Sequence, residues 1–96
     1  MTQLSQRVLS TIRRYAAANG LQKVILFGSR ACGTNAPRSD VDLAVSGGDC
    51  EGFYWAIKEQ APTLLSFDFV FLDKGISEEL RKEIERDGVT LYEKAG

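Results

Sequence analysis

Apolar residues recur every three to four positions at the start of the chain. Leu4, Val8, Ile12 and Tyr15/Ala16 fall on one helical face, which predicts an amphipathic helix over residues 3–19. Asn19-Gly20 then supplies a left-handed stop. The pattern changes to a short unbroken apolar run, Val24-Ile25-Leu26-Phe27, and predicts a first strand over residues 23–27. Residues 28–39 show no period and are rich in Gly, Ser, Asn and Pro, so they read as a loop with room for one helical turn. Strict alternation predicts a second strand over 40–45, which Ser46-Gly47-Gly48 breaks. Asp49 is placed to cap a helix over 50–60 with Phe53, Ala56 and Ile57 inward, and Pro62 closes that region. A third strand follows over 66–72. Ser77 caps a further helix to residue 87, with Glu78 and Glu79 in its first turn, Arg86 in its last and Gly88 beyond; Leu80 and Ile84 form its stripe. Residues 89–92 complete the series as a short fourth strand.

The order α-β-β-α-β-α-β predicts an α/β (α+β) fold in one domain spanning residues 1–96, with a mixed sheet of about four strands and helices packed on one face. Period-two geometry puts Asp40, Asp42 and Ala44 on one face of the second strand and Val41, Leu43 and Val45 on the other. If Phe67, Phe69 and Phe71 join the valines and leucine under the helices, Asp68 shares the face of the aspartate pair. The helix between the second and third strands is the crossover that a parallel pair requires. Parallel strands start at the same end of a sheet, so Asp40 and Asp68 are expected to converge. The first two strands are most simply antiparallel, which brings Gly28-Ser29 to the same corner.

Composition narrows the chemistry. The chain has no histidine and only two cysteines, Cys32 and Cys50, without a CxxC pair. That removes conventional zinc sites, Ser-His and Cys-His nucleophiles and histidine bases, and leaves carboxylates, metals, Lys, Arg and hydroxyls. Both thiols are expected to be free. No apolar run approaches the roughly 20 residues of a membrane span, and the first residues lack the features of a signal peptide, so a cytoplasmic address is expected. The net charge of −1 hides an asymmetry: residues 1–48 hold six basic and two acidic side chains, residues 49–96 six basic and eleven acidic. Chance plus a solvated acidic helix explains this as well as a positive surface for a polyanion or an acidic partner does.

Three carboxylates on one face and at one end of adjacent strands repel unless they bind cations. Hard divalent ions such as Mg²⁺ suit all-oxygen ligands and share themselves with substrate phosphates; with two ions, one activates a hydroxyl and the other steadies the leaving pyrophosphate. The expected catalytic and metal-binding residues are therefore Asp40, Asp42 and Asp68. Gly28, Ser29 and Arg30 are the expected grip on the polyphosphate, Gly28 because no Cβ blocks the approach of its backbone. Taken singly, an Asp-x-Asp pair, a Gly-Ser turn and one strand aspartate are each commonplace; their order and shared face carry the assignment. Arg38 suits a phosphate contact or a solvated loop equally. Tyr54 and Trp55 read as packing or a partner surface rather than a base-stacking platform.

Leu26-Phe27-Gly28-Ser29-Arg30-Ala31, Ser39-Asp40-Val41-Asp42-Leu43 and Phe67-Asp68-Phe69-Val70 together resemble the minimal nucleotidyltransferase (MNT) family of the DNA polymerase β-like superfamily. The tail from Glu79 through Leu91-Tyr92-Glu93 also looks like the C-terminal end of those proteins. The resemblance implies the polymerase β-like nucleotidyltransferase fold, Mg²⁺ as cofactor with two ions beside bound nucleotide, ATP or another NTP as substrate, and Ser39 among the nucleotide-binding residues. It also implies a HEPN-type helical protein partner and an antitoxin role, in which AMP passes from ATP to a tyrosine of the HEPN toxin. Homo- or hetero-oligomers are compatible with this reading; membrane association and direct nucleic-acid binding are not expected. Many relatives carry a second basic residue where this chain has Cys32, so one loop cation is missing. The alternatives are a non-catalytic subunit that binds nucleotide and masks its partner, and an enzyme that modifies a small molecule.

Overall fold

The structure, a computed structural model, describes residues 5–28, 41–60 and 66–94. Helix α1 (Gln6–Ala18) leads into strand β1 (Lys23–Phe27); β2 (Val41–Ser46), α2 (Cys50–Gln60), β3 (Phe67–Phe71), a 3₁₀ turn (Leu72–Lys74), α3 (Glu78–Asp87) and β4 (Val89–Glu93) follow. The four strands form one sheet in the order β3-β2-β1-β4. As expected, β1 pairs antiparallel with β2 and β2 pairs parallel with β3; β4 joins β1 antiparallel.

Local chemistry explains the element ends. Ser5 rather than residue 3 opens α1, its Oγ accepting from Val8 N at 3.3 Å. Gly20, at φ 67°, turns the chain out of α1. Asp49 Oδ1 accepts from Gly52 N at 2.9 Å and caps α2. Ser77 Oγ accepts from Leu80 N at 3.2 Å and caps α3. The 3₁₀ turn after β3 carries no hydrophobic period, and it takes Leu72 out of the strand expected over 66–72.

One face of the sheet presents Val24, Leu26, Val41, Leu43, Val45, Phe67 and Leu91, covered by Val8, Leu9, Ile12 and Ala16 of α1 and by Phe53 and Ile57 of α2. Phe53 is fully buried and meets Phe69 edge-on, ring centroids 6.0 Å apart. The other face is covered too. Ile84 of α3, with Leu80 beside it, packs on Phe27, Ala44, Ile25 and Val70. This corrects the expectation that all helices lie on one face: two do, and α3 takes the opposite side. The physical reason is visible in β1, whose residues are apolar without alternation, as strands buried on both faces are. Gly88 completes the fit, because a Cβ there would meet Ile25 Cγ2 at 2.6 Å.

A bulge interrupts the β1–β4 pairing. Val24 faces Tyr92 and Ile25 faces Thr90, so Leu91 has no partner across the ladder. Its carbonyl accepts from Arg13 Nε at 3.0 Å, which ties α1 to the edge strand. Among the described residues, no helix is long and apolar enough to cross a membrane.

Candidate active site

The parallel ladder sets Asp42 opposite Asp68, flanked by the apolar pairs Val41 with Phe67 and Leu43 with Phe69. Neighbouring strands lie about 4.8 Å apart, and in-register residues of a parallel pair point to the same side. The two carboxylates therefore stand side by side on the face opposite α1 and α2, one register step into each strand. Asp42 is half-buried and Asp68 exposed. The face they share becomes apolar beyond them, with Ala44 and Val70 next in register under α3. Among the described residues, the acids thus occupy the end of that face which α3 does not cover.

The antiparallel ladder brings in β1. Phe27 is the register partner of Asp42, and Gly28 follows it at the same edge. Gly28 has φ 79°, a left-handed value that side-chain-bearing residues avoid. The space where its Cβ would stand is taken by the Asp42 carboxylate, whose Oδ2 and Cγ are the nearest atoms. A side chain at position 28 would push that carboxylate off its place. Gly28 was singled out as a backbone approach to phosphate; its contact with Asp42 is a second role that the sequence pattern does not announce.

Of the expected site residues, the structure thus brings together Gly28, Asp42 and Asp68. Asp40, Ser29, Arg30 and Ser39 lie outside the described residues, as do Arg38 and Cys32. Among the described residues no group of three metal-ligating side chains is assembled. The pair that is described fits a hard divalent cation: two carboxylates on adjacent strands, all-oxygen donors, open to solvent on one side.

Comparison with known proteins adds identity to this geometry. No match was found among curated proteins. Among solved structures, a toxin–antitoxin complex with AMP-PNP superposes with a TM-score of 0.70 at 27% identity, over 90% of this chain and 73% of that one. The MntA-HpeT toxin–antitoxin, in a form with two aspartate-to-glutamate substitutions, gives 0.69 at 25% identity over 90% and 73%. A tyrosine-to-alanine form of the same complex gives 0.66 at 27% identity over 96% and 75%. The profile described as "Polymerase beta, Nucleotidyltransferase" matches residues 10–95, nearly the whole chain. With its strand order and paired aspartates, this chain belongs to the polymerase beta nucleotidyltransferase family.

Proposed function

We propose that the protein is a metal-dependent nucleotidyltransferase of the antitoxin type, which moves AMP from ATP to a tyrosine hydroxyl of a HEPN-type helical partner. The observation that carries the reading is the in-register pairing of Asp42 with Asp68 beside Gly28. Likeness to toxin–antitoxin complexes, one of them holding AMP-PNP, supports a nucleotide and a toxin partner.

In this reading Asp40, Asp42 and Asp68 hold the divalent ions. When bound, Mg²⁺ supplies charge neutralisation at the triphosphate and lowers the pKa of the attacking hydroxyl. Asp68, the more exposed of the described pair, accepts the proton of the tyrosine hydroxyl as its oxygen bonds to the α-phosphorus. The bond from that phosphorus to the bridging oxygen breaks, and pyrophosphate leaves. The Gly28 backbone, with Ser29, Arg30 and Ser39, steadies the polyphosphate. Gly28 also keeps the Asp42 carboxylate in place, since no Cβ competes for its position. In this reading the toxin partner supplies the acceptor hydroxyl, as likeness to toxin–antitoxin complexes supports. Holding it close to the α-phosphorus, in line with the leaving group, is worth several kcal/mol.

The test is intact-mass analysis of a HEPN-type partner after incubation with this protein, ATP and Mg²⁺. A gain of one AMP on a tyrosine, lost with EDTA and in Asp42→Asn, is the expected result. Neutralisation of the partner without any mass change, and undiminished in Asp42→Asn, would establish masking instead. Transfer to a small molecule by the isolated chain would establish a stand-alone enzyme.

A further inference from the structure

A groove of about 710 Å³ opens at the end of the parallel pair opposite to Asp42 and Asp68. Tyr54, Trp55 and Phe71 give it aromatic walls, and Asp49, Glu51 and Asp73 an acidic rim. Parallel pairing explains why these residues meet. The segment after β2 and the segment after β3 leave the sheet at the same end, and the first turns of α2 rise between them. Asp73 Oδ2 accepts from Gly47 N at 2.7 Å, which pins the two segments together.

Trp55 is the one large hydrophobic side chain exposed among the described residues, at 55%. A single exposed apolar residue is ordinary. Here, however, it stands edge-on to Tyr54, centroids 5.1 Å apart, beside a recess lined by a further aromatic ring and carboxylates. The rings already attract cations from within the chain: Lys74 Nζ lies 5.2 Å from the Phe71 centroid and Lys58 Nζ 5.3 Å from that of Tyr54. The lining holds three carboxylates against one cation, Lys74, so the field in the groove is negative on balance. The Cys50 thiol, which donates to Gly47 O at 3.1 Å, has its pKa raised by burial first and then by the carboxylates of Asp73 and Asp49, against the opposing pull of Lys74. Such a field disfavours nucleotides and nucleic acids and favours an organic cation.

We propose that this groove docks a basic segment of a protein partner, with an arginine guanidinium stacked on Trp55 and paired with the rim carboxylates. Arginine fits better than lysine because its planar, weakly hydrated cation stacks on aromatic faces and pairs with carboxylates in two-pronged fashion. The volume lies in the range of sites that enclose a drug-sized body, which accommodates an arginine with its neighbours. Four residue steps along β2 lead from Asp42 to Ser46, roughly 13 Å at about 3.3 Å per step. The groove lining includes neither Asp42 nor Asp68. The proposal is independent of the transfer reading, and the absence of transfer would leave it standing.

Trp55 is the only tryptophan of the chain, so its emission reads the groove directly. The full chain is titrated with a helical alanine-based peptide bearing arginines four residues apart, and with its glutamate counterpart. The arginine peptide should shift the emission saturably; Glu51→Arg should weaken the response at least tenfold, and raising the salt should weaken it further. Calorimetry on Trp55→Ala should show binding lost while the thermal melt is unchanged. No shift, or an equal shift with the glutamate peptide, would overturn the proposal. Emission that changes with protein concentration alone would also overturn it, by assigning the groove to a second copy of the chain.

Discussion

At one end of the β2–β3 pair, Asp42 and Asp68 stand in register with Gly28 against Asp42; at the other, Phe71 and the segments that leave the strands make an aromatic, acidic groove. Both ends are rich in carboxylates, yet they suit different cations. The first pair is fixed by ladder hydrogen bonds on adjacent strands, without an aromatic ring on its face beyond Phe27. Closely spaced oxygen donors on a rigid support suit a small, hard ion and the phosphates it carries. The groove carboxylates come from a helix cap, a first helical turn and a 3₁₀ turn, spread around π-faces. That spacing suits a large cation whose charge is delocalised. Charge alone does not define a site; the support and the neighbours decide which ion it takes.

The comparison can be broken most severely at the carboxylate pair. Asp42→Asn and Asp68→Asn should each lower transfer roughly 10²–10³-fold, equivalent to several kcal/mol of transition-state stabilisation. Both should leave the arginine-peptide response of Trp55 unchanged, as measured by mass analysis and fluorescence on the same preparations. A parallel loss at both ends would mean that the ends are not separate.

Phe53 of α2 is fully buried in the core between helices and sheet, and Phe53→Ala should cost about 3–5 kcal/mol of stability in urea unfolding. A much smaller cost would show that the core under α2 can collapse around the cavity. Gly28→Ala sharpens the distinction between folding and placement. A left-handed φ costs an alanine roughly 1–2 kcal/mol, while the new Cβ displaces the Asp42 carboxylate. Transfer should therefore fall far more than the modest drop in melting temperature accounts for, and Mg²⁺-dependent ATP binding should weaken with it.

Ser77→Ala removes the cap of α3, the helix that closes the face of the acids, and should cost about 1 kcal/mol by denaturant titration. The smallest effect is expected at Trp55. Because it is exposed, Trp55→Ala should alter stability by no more than about 0.5 kcal/mol and leave nucleotide binding as it was. A larger loss would assign Trp55 to packing rather than docking.

Much of the carboxylate end was legible in the chain. The alternation Asp40, Asp42, Ala44 against Val41, Leu43, Val45, and of Asp68 against three phenylalanines, already places the acids on one face. Helical spacing marked α1 and α3, and the helix between β2 and β3 implied a parallel pair. The groove was less legible. Asp73 lies more than twenty residues from Asp49 and Glu51, and each has a plain local reading as cap, helix-turn acid or loop charge. Parallel pairing of β2 and β3 was the one signal that could have joined them, since both strands must end on the same side.

Residue order alone dictated the faces, because side-chain direction along a strand or helix is a local property of the backbone. It also carried the sign that β1 is covered on both sides, in four consecutive apolar residues. Tertiary structure decided the rest. Only the ladder set Asp42 opposite Asp68 rather than one register step away, since register depends on which hydrogen bonds and packed pairs are satisfied together. Only packing sent α3 to the face of the acids, where Ile25, Phe27, Ala44 and Val70 needed cover. The contact between Gly28 and Asp42 belongs to this second class as well: it joins residues of two strands, and no local pattern can show that one residue lacks a side chain because another fills its place.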